Sequence, residues 1–137
     1  MMQTSAVNQR AETGPVDPLS LLSALPFAVL AVDEDNRIRF MNGAAEQFFE
    51  QAASGLTGRR LDDILPDDSP LFSLIAQASG GQTSVAEYDV SLTFPRDRSR
   101  NLSITAAPLG DGSSLTVVSL HEQSIARRIN SQIAHRN

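Results

Sequence analysis

Apolar and polar positions along this chain fall into blocks whose period changes several times. Residues 1–16 show no period and predict a disordered leader. Asp17-Pro18 then reads as a helix start, with Asp17 as N-cap and Pro18 in the first turn. Leu19, Leu22 and Leu25 give that helix an apolar stripe, and Pro26 ends it. The continuous apolar run from Phe27 to Val32 predicts a strand covered on both faces. Asp33 to Asn36 supply a turn, and Arg37 to Met41 alternate with Ile38 and Phe40 on one face, completing a hairpin.

Asn42 caps the next helix, where Ala45, Phe48, Phe49 and Ala52 fall at helical spacing up to an end near Gly55. Leu61, Ile64 and Leu65 mark one helical turn stopped by Pro66. Ser69-Pro70 opens a further helix with Leu71, Leu74, Ile75 and Ala78 on one face and Gly80-Gly81 at its end. The last third changes to period two. Tyr88, Val90, Leu92 and Phe94 alternate with polar residues, and Pro95 to Arg100 form a polar turn. Leu102, Ile104 and Ala106 alternate again until Pro108 and the glycines at 110 and 112. Leu115 to Leu120 form the final strand, and from Ser124 a helix carries Ala126, Ile129 and Ile133 at coiled-coil spacing. The fold class is α+β: a five-stranded antiparallel sheet with helices on one face, flanked by N-terminal and C-terminal helices.

Composition narrows the chemistry. The 137 residues suit one domain, and 41% hydrophobic with 20% charged residues is ordinary for a globular protein. With no cysteine, disulfides, thiolate nucleophiles and Cys-ligated metals are excluded. The net charge of −5 and the scatter of the basic residues, all arginine, argue against nucleic-acid binding. No apolar run approaches a membrane span, the N-terminus lacks a secretory signal, and a cytoplasmic location is expected.

Candidate catalytic groups do not assemble into a constellation. His121 beside Glu122 suggests a base pair or half a metal site, but reads more simply as a strand-end residue. The carboxylates at Asp33-Glu34-Asp35 and at Asp62-Asp63 with Asp67-Asp68 lack the spacing of a calcium loop and read as solvated turns. Arg96, Arg98 and Arg100 are interrupted by Asp97 and read as a solvated turn rather than a phosphate patch. No Walker loop and no nucleophile elbow is present, so no enzyme activity is expected of this chain, and no metal site.

The order of elements and two local patterns resemble the PAS family. Val32-Asp33, Ile38 and Asn42-Gly43-Ala44-Ala45-Glu46 resemble the PAS opening, and Glu122-Gln123-Ser124 stands where many PAS domains carry Asp-x-Thr before a signalling helix. Glu46 to Phe49, Leu61 to Pro66, Ser69-Pro70-Leu71 and the run from Ser124 to Arg136 are similar to the sensor region of nitrogen-regulation sensor histidine kinases.

The resemblance implies a PAS domain over 17–122 and a signalling helix over 123–137 that leads to a kinase core. This chain contains neither the His-Glu-x-x-Asn-Pro phosphoacceptor motif nor a Gly-rich ATP lid, and the neighbours of His135 do not match that motif. The family implies a non-catalytic sensory and dimerisation module of a cytoplasmic two-component kinase and phosphatase. Its partners would be a second copy and the kinase domains of its own parent, with a response regulator and a PII-type signal protein reached through that parent.

No cofactor is expected. Flavin sensors of this fold need a cysteine, and haem-binding members use a histidine on the helix that here spans Pro70–Ser79. Phe48, Ile64, Leu74, Ile75, Val90 and Ile104 would line the pocket between that helix and the sheet. A filled core is expected there, the alternative being a metabolite-binding sensor. Leu19, Leu22, Leu25, Ile129 and Ile133 are the expected dimer contacts. Glu122 and Ser124 form the strand-to-helix joint, with Arg39 as the expected partner of Glu122.

Overall fold

The computed structural model describes residues 14–110 and 112–122. Most of the expected leader lies outside them. So does all of the expected C-terminal helix, with Ser124, Ile129, Ile133 and His135.

The chain enters through α1 (Pro18–Ala24), where the Asp17 side chain accepts a hydrogen bond from the Leu19 backbone N–H, as its N-cap position predicts. Strands β1 (Ala28–Val32) and β2 (Ile38–Met41) form the expected hairpin, and all five β1 residues are buried. The helical layer follows as α2 (Gly43–Phe49), α3 (Ala53–Leu56), a 3₁₀ turn (Leu61–Asp63) and α4 (Pro70–Gly81). A long hairpin of β3 (Val85–Phe94) and β4 (Arg98–Pro108) precedes β5 (Thr116–Glu122). The sheet order is β2-β1-β5-β4-β3, with every neighbouring pair antiparallel.

The core lies between the helices and one sheet face. Leu30 and Val32 of β1, Leu92 and Phe94 of β3, Leu102 and Ile104 of β4, and Val118 and Leu120 of β5 meet Phe49, Leu56, Leu61, Leu71, Leu74 and Ile75. This burial is the main favourable term in the stability of such a layer pair.

Two local expectations are corrected. The helix beginning after Asn42 does not reach Gly55: it stops at Phe49, because Glu50 adopts a left-handed conformation with φ +54° and its N–H bonds back to Glu46 and Gln47. The next helix starts at Ala53, whose N–H donates to the Glu46 carboxylate at 2.6 Å. One face pattern therefore covers two separate helices.

The second correction concerns β3. Its register slips between Glu87, opposite Ile104, and Val90, opposite Leu102, so three residues on β3 span two on β4. This is a β-bulge, with Asp89 at φ +59° taking up the extra residue. Period two is interrupted there, and Tyr88 stands 65% exposed while Leu92 and Phe94 are buried.

Candidate functional site

Polar and exposed apolar groups concentrate in three regions: the junction of α1 with the core, the rim where β5 ends, and the sheet end near the β1–β2 turn.

The first is organised by Asn42, which is almost fully buried. Its Oδ1 accepts from the backbone N–H of Ala45, as a helix cap should, and also from that of Val29. Its Nδ2 donates to the carbonyls of Leu22 and Phe27. One side chain thus ties α1, β1 and α2 together. The capping role is legible in the sequence, whereas the other three bonds come from residues far away along the chain. Of the α1 stripe, Leu22 and Leu25 are half-buried, and Leu19 is exposed together with Leu21 and Val16.

The second region lies where β5 ends. The Glu122 carboxylate pairs with Arg100 on the adjacent strand, and the Arg100 guanidinium lies 5.8 Å from the Phe48 ring centroid. Arg39, the expected partner, pairs instead with Asp33, because β2 and β4 lie on opposite sides of the β1–β5 pair. Arg98 reaches back to α2, where its Nη2 donates to the Phe48 carbonyl at 2.8 Å. Its Nη1 lies 3.3 Å from Glu50 without hydrogen-bond alignment, and Arg96 also pairs with Glu50. The polar turn is thus more than a solvated loop: two of its arginines brace the C-terminus of α2 and the third holds Glu122. Nearby, His121 stacks on Phe27 with ring centroids 4.2 Å apart.

The third region is the β1–β2 turn. The Asp33 carboxylate accepts from the backbone N–H groups of Asp35 and Arg37 and lies 3.5 Å from the Arg39 guanidinium. Burial by itself would raise its pKa, but these hydrogen bonds and the arginine outweigh it and hold the carboxyl below its ordinary value of 3.8. A carboxyl whose folded pKa lies below its unfolded value adds stability above the unfolded value, and that stability is lost as pH falls through the folded one. Asp33→Asn is therefore expected to lower stability at neutral pH and to narrow its gap from the parent chain as pH drops below 3.8. Urea unfolding of both proteins at several pH values tests this, and a gap that does not change with pH counts against the charged role.

The six residues expected around a core pocket all belong to the core. Leu74, Ile75 and Ile104 are buried, and Phe48, Ile64 and Val90 are partly buried against them. Two open clefts lie at its margins. A cleft of about 430 Å³ at the sheet end includes Ile75 in its lining, and one of about 310 Å³ beside Phe27 and His121 includes Phe48. Sequence reading did not single out the sheet-end cleft, because its polar residues look like ordinary turn residues. Among the described residues no three His, Cys, Asp or Glu side chains are placed to hold a metal, and no helix is long and apolar enough to cross a membrane.

The five-stranded antiparallel sheet with its helices on one face defines a domain of PAS class. The PAS fold model matches residues 17–122, and the chain belongs to this family. It is 32% identical over 122 residues to the sensory histidine kinase/phosphatase NtrB of Azospirillum brasilense, covering 89% of this chain and 30% of that protein. The corresponding protein of Rhizobium meliloti is 32% identical over 119 residues, covering 86% and 31%. The chain thus spans about a third of the length of the curated relatives it matches. Among solved structures, the PAS domain of nitrogen regulation protein NR(II) from Vibrio parahaemolyticus superposes with a TM-score of 0.69 at 23% identity, covering 80% of this chain and all of that one. A LOV domain from an Erythrobacter litoralis blue-light activated histidine kinase shares the fold at a TM-score of 0.59 and 18% identity.

Proposed function

We propose that the chain is the non-catalytic sensory and dimerisation module of a cytoplasmic nitrogen-regulation histidine kinase. In this reading two copies associate through α1 and pass a change at the end of β5 to a downstream kinase and phosphatase core. The response regulator, and any PII-type signal protein, act on that core rather than on this domain.

The observation that carries the reading is the uncovered apolar surface of α1. Leu19 and Leu21 are more than half exposed on a helix of seven residues that has no buried side chain of its own, and Val16 just before its N-cap is exposed with them. A helix this short is not stable alone in water, and one that leaves its apolar residues exposed gains by meeting a second copy. The likeness to NtrB proteins supports the kinase context. The close packing of Leu74, Ile75 and Ile104 supports relay over a metabolite held inside the core.

A dimer also gives the strand-to-helix joint a role. Glu122, tied to Arg100, is the last residue of β5, and a rotation or shift there sets the spacing of two exiting chains. The test is oligomeric state. Native mass spectrometry should find a dimer, and the double change Leu19→Glu with Leu21→Glu should weaken association about 100-fold while leaving the thermal transition nearly unchanged. A parent chain that remains monomeric at high concentration removes the basis for relay through a dimer.

A further inference from the structure

We propose that the cleft at the sheet end is a binding site for a small organic cation of the primary-amine class. It lies where the β1–β2 turn, the second half of α4 and the segment leading into β5 converge, with a volume of about 430 Å³. The site is separate from α1 and from the Arg100–Glu122 joint, so it does not depend on the relay reading.

Charge selects the ligand class. Among the described residues, Asp33 and Glu34 line the cleft, and no arginine, lysine or histidine does. Asp33 is already engaged by Arg39 and two backbone N–H groups, but Glu34 is exposed and forms no ion pair among the described residues. With Asp33 offset by Arg39, an anion entering the cleft meets the uncompensated Glu34 carboxylate, whereas an ammonium gains a charge-assisted hydrogen bond from it. A metal ion finds too few ligands there.

The walls and floor supply the rest. Phe72, Ile75 and Leu115 offer apolar surface for a short carbon stem. Thr116 forms part of the lining on the helix-facing side of β5, which it shares with buried Val118 and Leu120. The residue is 2% exposed, and its hydroxyl has no hydrogen-bond partner among the described residues. That hydroxyl is not among the described side-chain atoms that are both buried and unpaired, so it keeps contact with the solvent of the cleft, and a ligand group can take the place of water on it. The cleft therefore combines an anionic rim, an apolar wall and a hydrogen-bonding floor, an arrangement suited to an amino alcohol or a short diamine.

The experiment is an NMR titration of the ¹⁵N-labelled 137-residue chain with ethanolamine and with 1,4-diaminobutane, using ethylene glycol and sodium chloride as controls. At least one amine should give saturable shifts at Glu34, Ser79 and Thr116 while the controls do not. Glu34→Gln should weaken binding about tenfold. Thr116→Val, which keeps the side-chain shape, should weaken it several-fold with the thermal transition unchanged or raised. The proposal is overturned if ethylene glycol shifts the same residues equally, if the amine shifts lie elsewhere on the surface, or if neither amine approaches saturation by about 10 mM.

Discussion

Asn42→Ala is expected to lower the stability of the domain by about 3–4 kcal/mol, the sum of one lost helix cap and three further lost hydrogen bonds to backbone groups. An asparagine side chain has two acceptor sites and two donors. Here all four are used: Oδ1 by Ala45 and Val29, Nδ2 by Leu22 and Phe27, at 2.9–3.0 Å. Truncation leaves the Val29 N–H without that partner next to a fully buried strand and frees the carbonyls that hold the end of α1. For a domain of roughly 100 residues such a loss lowers the melting temperature by about 15–20 °C. Asn42→Asp is the sharper variant. It keeps the shape and both accepted bonds but turns the donor end into an acceptor facing two carbonyls, and it buries a charge. It should be at least as damaging as alanine at neutral pH. An aspartate tolerated with less than about 1 kcal/mol lost means that capping alone explains the position. Thermal melts of the three proteins decide the matter.

Phe94→Ala is expected to cost about 4 kcal/mol. The ring is 2% exposed at the end of β3. It stacks on Phe48 with centroids 5.4 Å apart and meets Phe49 edge-on at 5.3 Å, so its loss leaves a cavity between the sheet and the end of α2. The same truncation loosens the Phe48 carbonyl that Arg98 grips across the sheet edge. Phe94→Leu refills part of the space and should cost about half as much. Tyr88→Ala provides the comparison, because Tyr88 and Phe94 stand at matching positions of one alternating pattern. With Tyr88 65% exposed beyond the bulge, its truncation should cost less than about 1 kcal/mol. Equal losses at the two positions in chemical denaturation are incompatible with a bulge at Asp89.

The two aromatic residues also mark how far sequence reading extends. Tyr88 falls with Val90, Leu92 and Phe94 on one face of the alternation, because nothing in the order of side chains reveals that the backbone inserts an extra residue at Asp89. The break at Glu50 is hidden in the same way: helical spacing continues through Ala52, and a non-glycine residue in the left-handed region is not expected from its type. The N-caps at Asp17, Asn42 and Ser69 were legible because each involves a side chain and an amide two or three residues away. The pairing of Glu122 was not, since choosing Arg100 over Arg39 requires knowing that β5 lies between β1 and β4.

Candidate sites divide along the same line. The six apolar residues read as lining a pocket are recognisable by their period, and they do lie in or against the core. The sheet-end cleft draws on a turn, a helix and a strand start separated by dozens of residues, and its polar members look like solvated turn residues until those elements converge.

Sequence by itself therefore determined the class of fold, the five strands, the helix starts at Asp17, Asn42 and Ser69 and the resemblance to nitrogen-regulation sensors, all of which rest on periodicity and contacts within a few residues. Tertiary structure alone decided the bulge, the split helix, the fourfold use of Asn42, the arginine partners and the cleft. Each of these depends on which distant backbone groups and charges come within about 3–4 Å of one another, and that is set by sheet order and packing rather than by neighbours along the chain.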